Sequence, residues 1–342
     1  MSERSGIVPA IGPSGWRIWG HDRAVADLQR AAVHGPRHAY ILTGPDAIGK
    51  RTLAIEFARA LVCERPVAPG IPCGECSRCR RVLRGVHPDV TIVDLTTQAA
   101  AEKSSSTSRN TSLNIATVRD ISANVALRPV EANWRVAIVD DVETIQETAQ
   151  EAFLKTLEEP PAYTVILLLT SDVELLLPTI LSRCVTIPMQ VVPPATIASA
   201  LAASRVDDAL ATSIAELSDG RIGWAFEAAV DPSLVERQEA LHTAARTWVR
   251  SSEYDRLIRA TTLADRFTKD REAIFDELLA VQLEWRRALF AAVQALPAGE
   301  PPRPQSILAA IRGVERCILD LETNVRPRLA MQSMVLQWPE IP

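Results

Sequence analysis

Gly44, Gly49 and Lys50 stand in the order G-x-x-x-x-G-K within the stretch Ile41-Leu42-Thr43-Gly44-Pro45-Asp46-Ala47-Ile48-Gly49-Lys50-Arg51-Thr52. A loop of that spacing between a strand and a helix offers phosphate a ring of backbone N–H groups and a helix N-terminus. In such loops the residue after the lysine is Ser or Thr, whose hydroxyl binds Mg²⁺. Here it is Arg51, and a guanidinium has no lone pair to give a cation. Thr52 does carry a hydroxyl, but one residue turns a helix by about 100° and aims it elsewhere. The stretch is shaped for a nucleotide and compromised for metal-assisted hydrolysis. A glycine-containing strand-to-helix turn with no ligand is the plainer interpretation of the same residues.

A second set of acids belongs to the same chemistry. Trp134-Arg135-Val136-Ala137-Ile138-Val139 is an apolar run ending in Asp140-Asp141. A carboxylate at the end of a late strand in a P-loop domain helps hold Mg²⁺, and Asp140 fits that place. Asp141 occupies the position where a nucleotide-hydrolysing motor carries a longer Glu to polarise water. Glu143 lies further on and is expected to face differently. Turns favour Asp for their own reasons, so the pair gains meaning only from the loop upstream. Thr170 closes another apolar run, Thr164 to Leu169.

Four of the six cysteines cluster: Cys63, Cys73, Cys76 and Cys79, with Cys184 and Cys317 standing alone. Four thiolates on tight turns suit tetrahedral Zn²⁺ with no position left for water. Disulfides are the alternative, disfavoured in a reducing cytosol. The metal's expected role is to fold a small excursion, residues 63–84, that has little core of its own. Arg78, Arg80, Arg81 and Arg84 make it locally basic, either as a solvated face or as a contact for phosphate or a partner.

These residues need a scaffold. Strands are expected at Ala39 to Leu42, Val90 to Leu95, Trp134 to Asp141, Thr164 to Leu169 and Cys184 to Ile187, with helices between them. The helices run from Asp22 to Val33, from Lys50 onward, from Ile115 to Leu127 and from Thr148 to Glu159, where Pro160-Pro161 stops the last. Alternating strands and helices predict an α/β fold with a parallel, doubly wound sheet, whose ligands lie at the carboxyl ends of the strands. Met1 to Ser14 reads as unstructured, and Ser/Thr/Ala-rich Thr96 to Ser112 as a mobile loop. From Pro193 the pattern turns to short Ala-rich helices, Thr196 to Ala203, Asp207 to Leu217 and Gly223 to Val230. Longer amphipathic helices follow: Leu234 to Arg250, Tyr254 to Phe267, Arg271 to Gln294 and Pro304 to Leu321, with a Pro-rich joint at Pro297 to Pro304. The expected domains are 1–190, 191–232 (an all-α lid) and 233–342 (an all-α packing or assembly bundle).

The whole chain fits a globular protein. It has 342 residues, 47% of them hydrophobic, and a net charge of −5, which argues against gripping nucleic acid over a broad surface. No apolar run is long enough to cross a membrane, and Met1 to Gly20 lacks a signal layout. A cytoplasmic location is expected.

Three stretches resemble the bacterial DNA polymerase III clamp-loader subunits. They are Ala149-Gln150-Glu151-Ala152-Phe153-Leu154-Lys155-Thr156-Leu157-Glu158-Glu159-Pro160-Pro161, then Leu168-Leu169-Thr170-Ser171-Asp172, then Leu177-Pro178-Thr179-Ile180-Leu181-Ser182-Arg183-Cys184. The cysteine insertion is similar to that family's, and Asn324-Val325-Arg326-Pro327-Arg328-Leu329-Ala330 is similar to the last helix of its delta-prime branch. The resemblance implies a P-loop domain of AAA+ type, a zinc module, a helical lid and a C-terminal collar. It implies tau/gamma and delta subunits as partners, and through them the sliding clamp and primer-template DNA. In that family tau and gamma hydrolyse ATP, whereas delta-prime is a stator with a degraded or absent ATPase site, part of the holoenzyme without independent activity. Arg51, Asp141 and Gly223, the last in place of the lid motif's sensor arginine, depart from the motor pattern. Lys50 survives, so ATP or ADP binding stays open. The Ser-Arg-Cys arginine, Arg183, is implied to act in trans as an arginine finger in a neighbour's ATP site. The alternatives are a working tau/gamma-like ATPase that takes Mg²⁺ through water and Asp140, and a zinc-containing adaptor that contacts DNA through Arg78 to Arg84.

Overall fold

The computed structural model describes residues 7–101, 112–294, 304–323 and 325–340. The chain divides into two compact units, one through Asp231 and one from Pro232.

The first unit is built on strands whose side chains alternate between two covered faces. In chain order it runs α1 (Asp22–His34), β1 (Ala39–Thr43), α2 (Lys50–Val62), α3 (Ser77–Leu83), β2 (Val90–Val93), α4 (Leu95–Ala101), α5 (Ile115–Ala126), β3 (Arg135–Val139), α6 (Glu147–Glu158), β4 (Thr164–Thr170), α7 (Pro178–Leu181) and β5 (Val185–Pro188). The five strands lie in the order β2-β3-β4-β1-β5, and every pairing is parallel. Strands buried on both faces read as continuous apolar runs, and β4 is Thr-Val-Ile-Leu-Leu-Leu-Thr, buried throughout. Tyr40, Leu42, Val136, Ile138, Val165 and Leu167 face α1, α2 and α3 with Val25, Leu28, Phe57 and Val82. Ala39, Ile41, Ala137, Val139, Ile166 and Leu168 face α5, α6 and α7 with Val118, Ile121, Phe153 and Ile180. One residue of offset in the pleat thus assigns each side chain to its layer.

Three shorter helices follow, α8 (Pro194–Ala203), α9 (Asp208–Leu217) and α10 (Ile222–Ala228). The second unit holds α11 (Pro232–Arg250), α12 (Glu253–Arg266), α13 (Arg271–Gln294), α14 (Pro304–Glu322) and α15 (Pro327–Val335). Its core gathers Trp248, Leu278, Trp285, Val314 and Met331. Ser252 caps α12 by accepting from the Asp255 N–H, the kind of cap that satisfies an otherwise orphaned helix donor. No helix among the described residues is long and apolar enough to cross a membrane.

Two expectations need correction. The strand expected to run to Leu95 stops at Val93, because Asp94 turns the chain into a helix. Its carboxylate accepts from the Thr96 hydroxyl at 2.6 Å and the Thr97 N–H at 2.7 Å, an N-cap arrangement. Leu95–Ala101 is therefore helical where Thr96 onward was expected to be a loop; residues 102–111 of that expectation lie outside the described residues. At the N-terminus, residues 7–20 form no helix or strand, yet they are packed. Trp16 is fully buried and its indole N–H donates to Gly70 O at 2.9 Å. Residues 1–6, most of the Pro297 to Pro304 joint and Asn324 also lie outside the described residues.

Candidate functional site

Helix α2 has a site at each end. At its N-terminus Gly49 is the cap and offers no side chain, so the first N–H groups of the helix lack internal partners. Gly44 has φ +149°, and a Cβ there would meet Met189 O at 2.3 Å; only glycine lets β1 turn so close to the chain after β5. The Gly44 N–H donates to Thr170 O at 3.2 Å, and this ties the loop to the end of β4. Thr170 itself is buried and its hydroxyl donates to Asp172 O at 2.8 Å. Thr52 is half-buried one position past Arg51.

The cations of this site are held by the chain's own oxygens. Lys50 is only 8% exposed, and its Nζ donates to Gly44 O at 2.6 Å and Pro45 O at 3.2 Å and pairs with Asp46. The Arg51 guanidinium Nη1 lies 2.6 Å from Asp94 Oδ2 and 3.3 Å from Asp140 Oδ2. A fixed positive charge thus sits against the carboxylate at the end of β3. Register explains why both acids are present. Val93 pairs with Val139 across β2 and β3, so the next residue on each strand is an aspartate at the same sheet edge.

Asp94 is the residue that sequence reasoning missed, because it was counted inside the strand. Its signal was a single acid closing an apolar run, as Asp140 does on β3. Burial acts to raise the Asp94 carboxyl, but hydrogen bonds from Thr96, Arg51 and the Thr97 amide outweigh it and hold it at about 2. Asp140 is raised, chiefly by burial, with Arg51 opposing. Asp141 is pushed up to about 6 by burial and then by the neighbouring carboxylates of Asp140 and Glu143. Its backbone is left-handed at φ 55°. Glu143 faces the end of β4, where it accepts from the Ser171 N–H at 3.1 Å and hydroxyl at 2.5 Å.

The short helix α10 closes over the loop from the other side. The Gly223 N–H donates to Ala47 O at 2.6 Å, and a Cβ on Gly223 would stand 2.7 Å from that same oxygen. The position therefore accepts no side chain in this arrangement. His21 adds a contact that the sequence did not announce, with Nε2 2.9 Å from Ile48 O.

At the C-terminal end of α2, Cys63, Cys73, Cys76 and Cys79 place their sulfurs all within 4.8 Å of one another. Cys63 Sγ and Cys73 Sγ are 3.6 Å apart, close to the spacing of about 3.8 Å that Zn–S bonds of about 2.3 Å impose in a tetrahedron. Backbone N–H groups of Cys73, Cys76 and Cys79 donate to the sulfurs of Cys63, Cys73 and Cys76 at 3.3, 3.4 and 3.4 Å, which favours thiolate over thiol. The donor set fits a metal ion. Cys184 and Cys317 lie outside the cluster; burial raises both thiols to about 12, as it also raises Cys63 and Cys79. At Cys73 burial is outweighed by the N–H groups of Cys76 and Glu75, and the thiol is lowered to about 6. Of the arginines at positions 78, 80, 81 and 84, Arg78 pairs with Glu64 and Arg81 with Glu131. Arg80 and Arg84 are exposed and have no carboxylate partner among the described residues.

Arg183 lies away from this loop, between α7 and β5. Its Nη2 donates to Glu158 Oε1 at 2.6 Å, and its Nη1 to Thr179 O at 2.9 Å and Ser182 Oγ at 3.2 Å.

The sequence profile of the family described as DNA polymerase III, delta subunit, matches residues 20–193, which is the sheet, the loop, the cysteine cluster and Arg183 together. This chain belongs to that family. Among its relatives, it is 39% identical over 148 residues to the DNA polymerase III subunit delta' of Pseudomonas aeruginosa, a span covering 43% of this chain and 42% of that protein. It is 35% identical over 147 residues to the DNA polymerase III subunit tau/gamma of Haemophilus influenzae, covering 43% of this chain and 19% of that protein. The match thus spans less than half the length of either relative. Among solved structures, a DNA polymerase III gamma subunit-related protein of Thermotoga maritima aligns over 92% of this chain and 97% of its own, with 19% identity and a TM-score of 0.41.

Proposed function

We propose that this chain is the delta-prime stator of a clamp loader, a member that hydrolyses no ATP itself and completes the ATP site of a neighbouring tau/gamma subunit with Arg183. The observation that carries this is the Arg51 guanidinium seated on Asp94 and Asp140, where a motor would use a hydroxyl and a carboxylate to hold Mg²⁺. Gly223 against Ala47 adds to it, since the lid position that would carry a sensor arginine has no room for a side chain. Arg183 on the surface beside α7 is free of that site, and an arginine supplied in trans stabilises charge on a transferring phosphoryl group.

In this proposal residues 1–190 form the AAA+ domain, with zinc held by Cys63, Cys73, Cys76 and Cys79, residues 191–232 the lid, and residues 233–342 the collar. Zinc would supply a tetrahedral cross-link and no catalysis. The collar would join the tau/gamma and delta subunits. Leu279, Phe290 and Val293 on α13 and Leu308 and Leu319 on α14 are exposed apolar side chains, and Glu315 joins the two helices by contacts to Gln282 and Arg286. Apolar surface of that kind suits burial against another subunit. The assembly would work in the cytoplasm, placing the sliding clamp on primer-template DNA.

Two measurements test the proposal. The isolated, zinc-loaded chain is titrated with ATP with and without Mg²⁺ and assayed for hydrolysis; Mg²⁺-dependent turnover would place it among the motors. In the assembled loader, Arg183→Ala should abolish hydrolysis at the one site it serves, by about 10³-fold or more, while the assembly stays intact on gel filtration. Unchanged turnover would sink the finger role. Arg80 and Arg84 favour one other reading, direct DNA contact by the cysteine module. Binding of DNA by the isolated chain that weakens steeply with salt would support that reading.

A further inference from the structure

The carboxylate that holds Arg183 stands where a helix does not want one. Glu158 is the last residue of α6. A helix C-terminus carries about half a negative charge, so an acid there is unfavourable unless a cation answers it. Pro160-Pro161 follows at once and prevents the helix from continuing past it. Arg183 is the answering cation, at 2.6 Å.

The geometry also leaves that arginine usable. A guanidinium has five N–H donors. Both donors on Nη1 are turned to Thr179 O and Ser182 Oγ, and one on Nη2 goes to Glu158. Nε–H and the second Nη2 donor have no partner among the described residues. A group held by three bonds with two donors to spare can take phosphate oxygens without leaving its seat. A free arginine would instead lose rotamer freedom on each engagement. The tether is weak enough to adjust, because both partners are part-exposed, at 34% and 49% of their side chains, where solvent screens ion pairs.

We infer that Glu158 is a positioning residue for Arg183: it orients the guanidinium in advance toward the terminal phosphate of a nucleoside triphosphate bound by an adjacent subunit. This rests on the finger reading above and adds a residue to it.

The experiment uses the full chain assembled with its ATPase partner subunits, with single-site ATP turnover as readout. Glu158→Ala should lower kcat at the served site by about tenfold with KM for ATP unchanged, because misplaced catalytic groups cost rate rather than ground-state binding. Glu158→Gln keeps an acceptor oxygen and should restore most of that loss. In an Arg183→Ala background, Glu158→Ala should do nothing further. The position is half-exposed, and thermal melting of each variant should match the parent. If Arg183→Ala has no effect, the finger reading itself has failed. If Arg183→Ala lowers turnover but Glu158→Ala leaves it unchanged or raises it, only the positioning role is overturned. A further loss in the Arg183→Ala background overturns it too, since Glu158 would then act through something else.

Discussion

The two ends of α2 present the same kind of problem and solve it oppositely. At the N-terminal end, Asp94 and Asp140 bring two carboxylates to one edge of the sheet, an arrangement that invites a cation. The chain supplies its own, Arg51, one residue past the loop lysine. At the C-terminal end, four cysteine sulfurs gather within 4.8 Å, and among the described residues amide N–H groups donate to three of them. Amide dipoles favour thiolates but cannot balance several negative charges. The difference teaches that ligand geometry alone does not tell which site needs a metal. What decides is whether the fold already places a counter-charge inside it.

On the zinc proposal, removing the metal should break this comparison most visibly. A chelator strong enough to take Zn²⁺ should unfold residues 63–84 and lower the melting temperature steeply, since structural zinc contributes about 10 kcal/mol or more in small modules. Metal analysis of the purified chain should give one zinc per chain. A melting curve indifferent to chelation, with no metal bound, would show that the sulfurs are self-sufficient.

The opposite end should be indifferent to divalent cations until Arg51 is removed. Arg51→Thr leaves Asp94 buried with no cation beside it, and should cost about 1–3 kcal/mol in denaturant unfolding without Mg²⁺. Millimolar Mg²⁺ should then recover part of that loss, while leaving the parent chain unchanged. Mg²⁺ stabilising both chains equally would mean that Arg51 does not stand in for the metal.

The smallest effect sharpens the charge argument within the same site. Asp141 has a folded pKa of about 6, above the unfolded value near 4, so the folded chain takes up that proton first. Its contribution to stability is present below about pH 4 and is lost as the pH rises through about 6. Asp141→Asn should therefore raise the melting temperature at pH 7.5, by about 1–2 °C, and leave it unchanged near pH 4. Asp94 has the reverse sign. Its pKa of about 2 makes its contribution full above about pH 4 and lost as the pH falls through 2. Melting curves of both Asn variants across pH 2 to 8 separate the two directions.

Much of the sheet was legible because buried parallel strands advertise themselves as apolar runs, and β1, β3 and β4 lie within two residues of their expected ends. Four helices of the second unit, α11 to α14, were legible from period, Arg271–Gln294 among them, whereas α15 came only from the resemblance of Asn324 to Ala330. The boundary at Asp94 was not. An acid after Val-Thr-Ile-Val fits a strand end or a helix cap equally well, and the hydroxyl of Thr96 and the amide of Thr97 folding back onto it decide. The spacing of glycines and lysine marked the loop between β1 and α2, and the spacing of cysteines marked their cluster, because both depend on local backbone turns.

Pairings between distant segments lay beyond the sequence. Arg51 could be read as the wrong residue for a metal, but not as the partner of Asp94 and Asp140, which depends on the register of β2 against β3. Gly223 could be read as a missing arginine, but not as a donor to Ala47 with no space for a side chain. Glu158 and Arg183, 25 residues apart, meet only because α6 and α7 cover the same face of the sheet. Sequence determines which chemical groups exist and how the chain turns next to them. Charges many residues apart are paired by the close packing of layers, and that is a property of the tertiary structure.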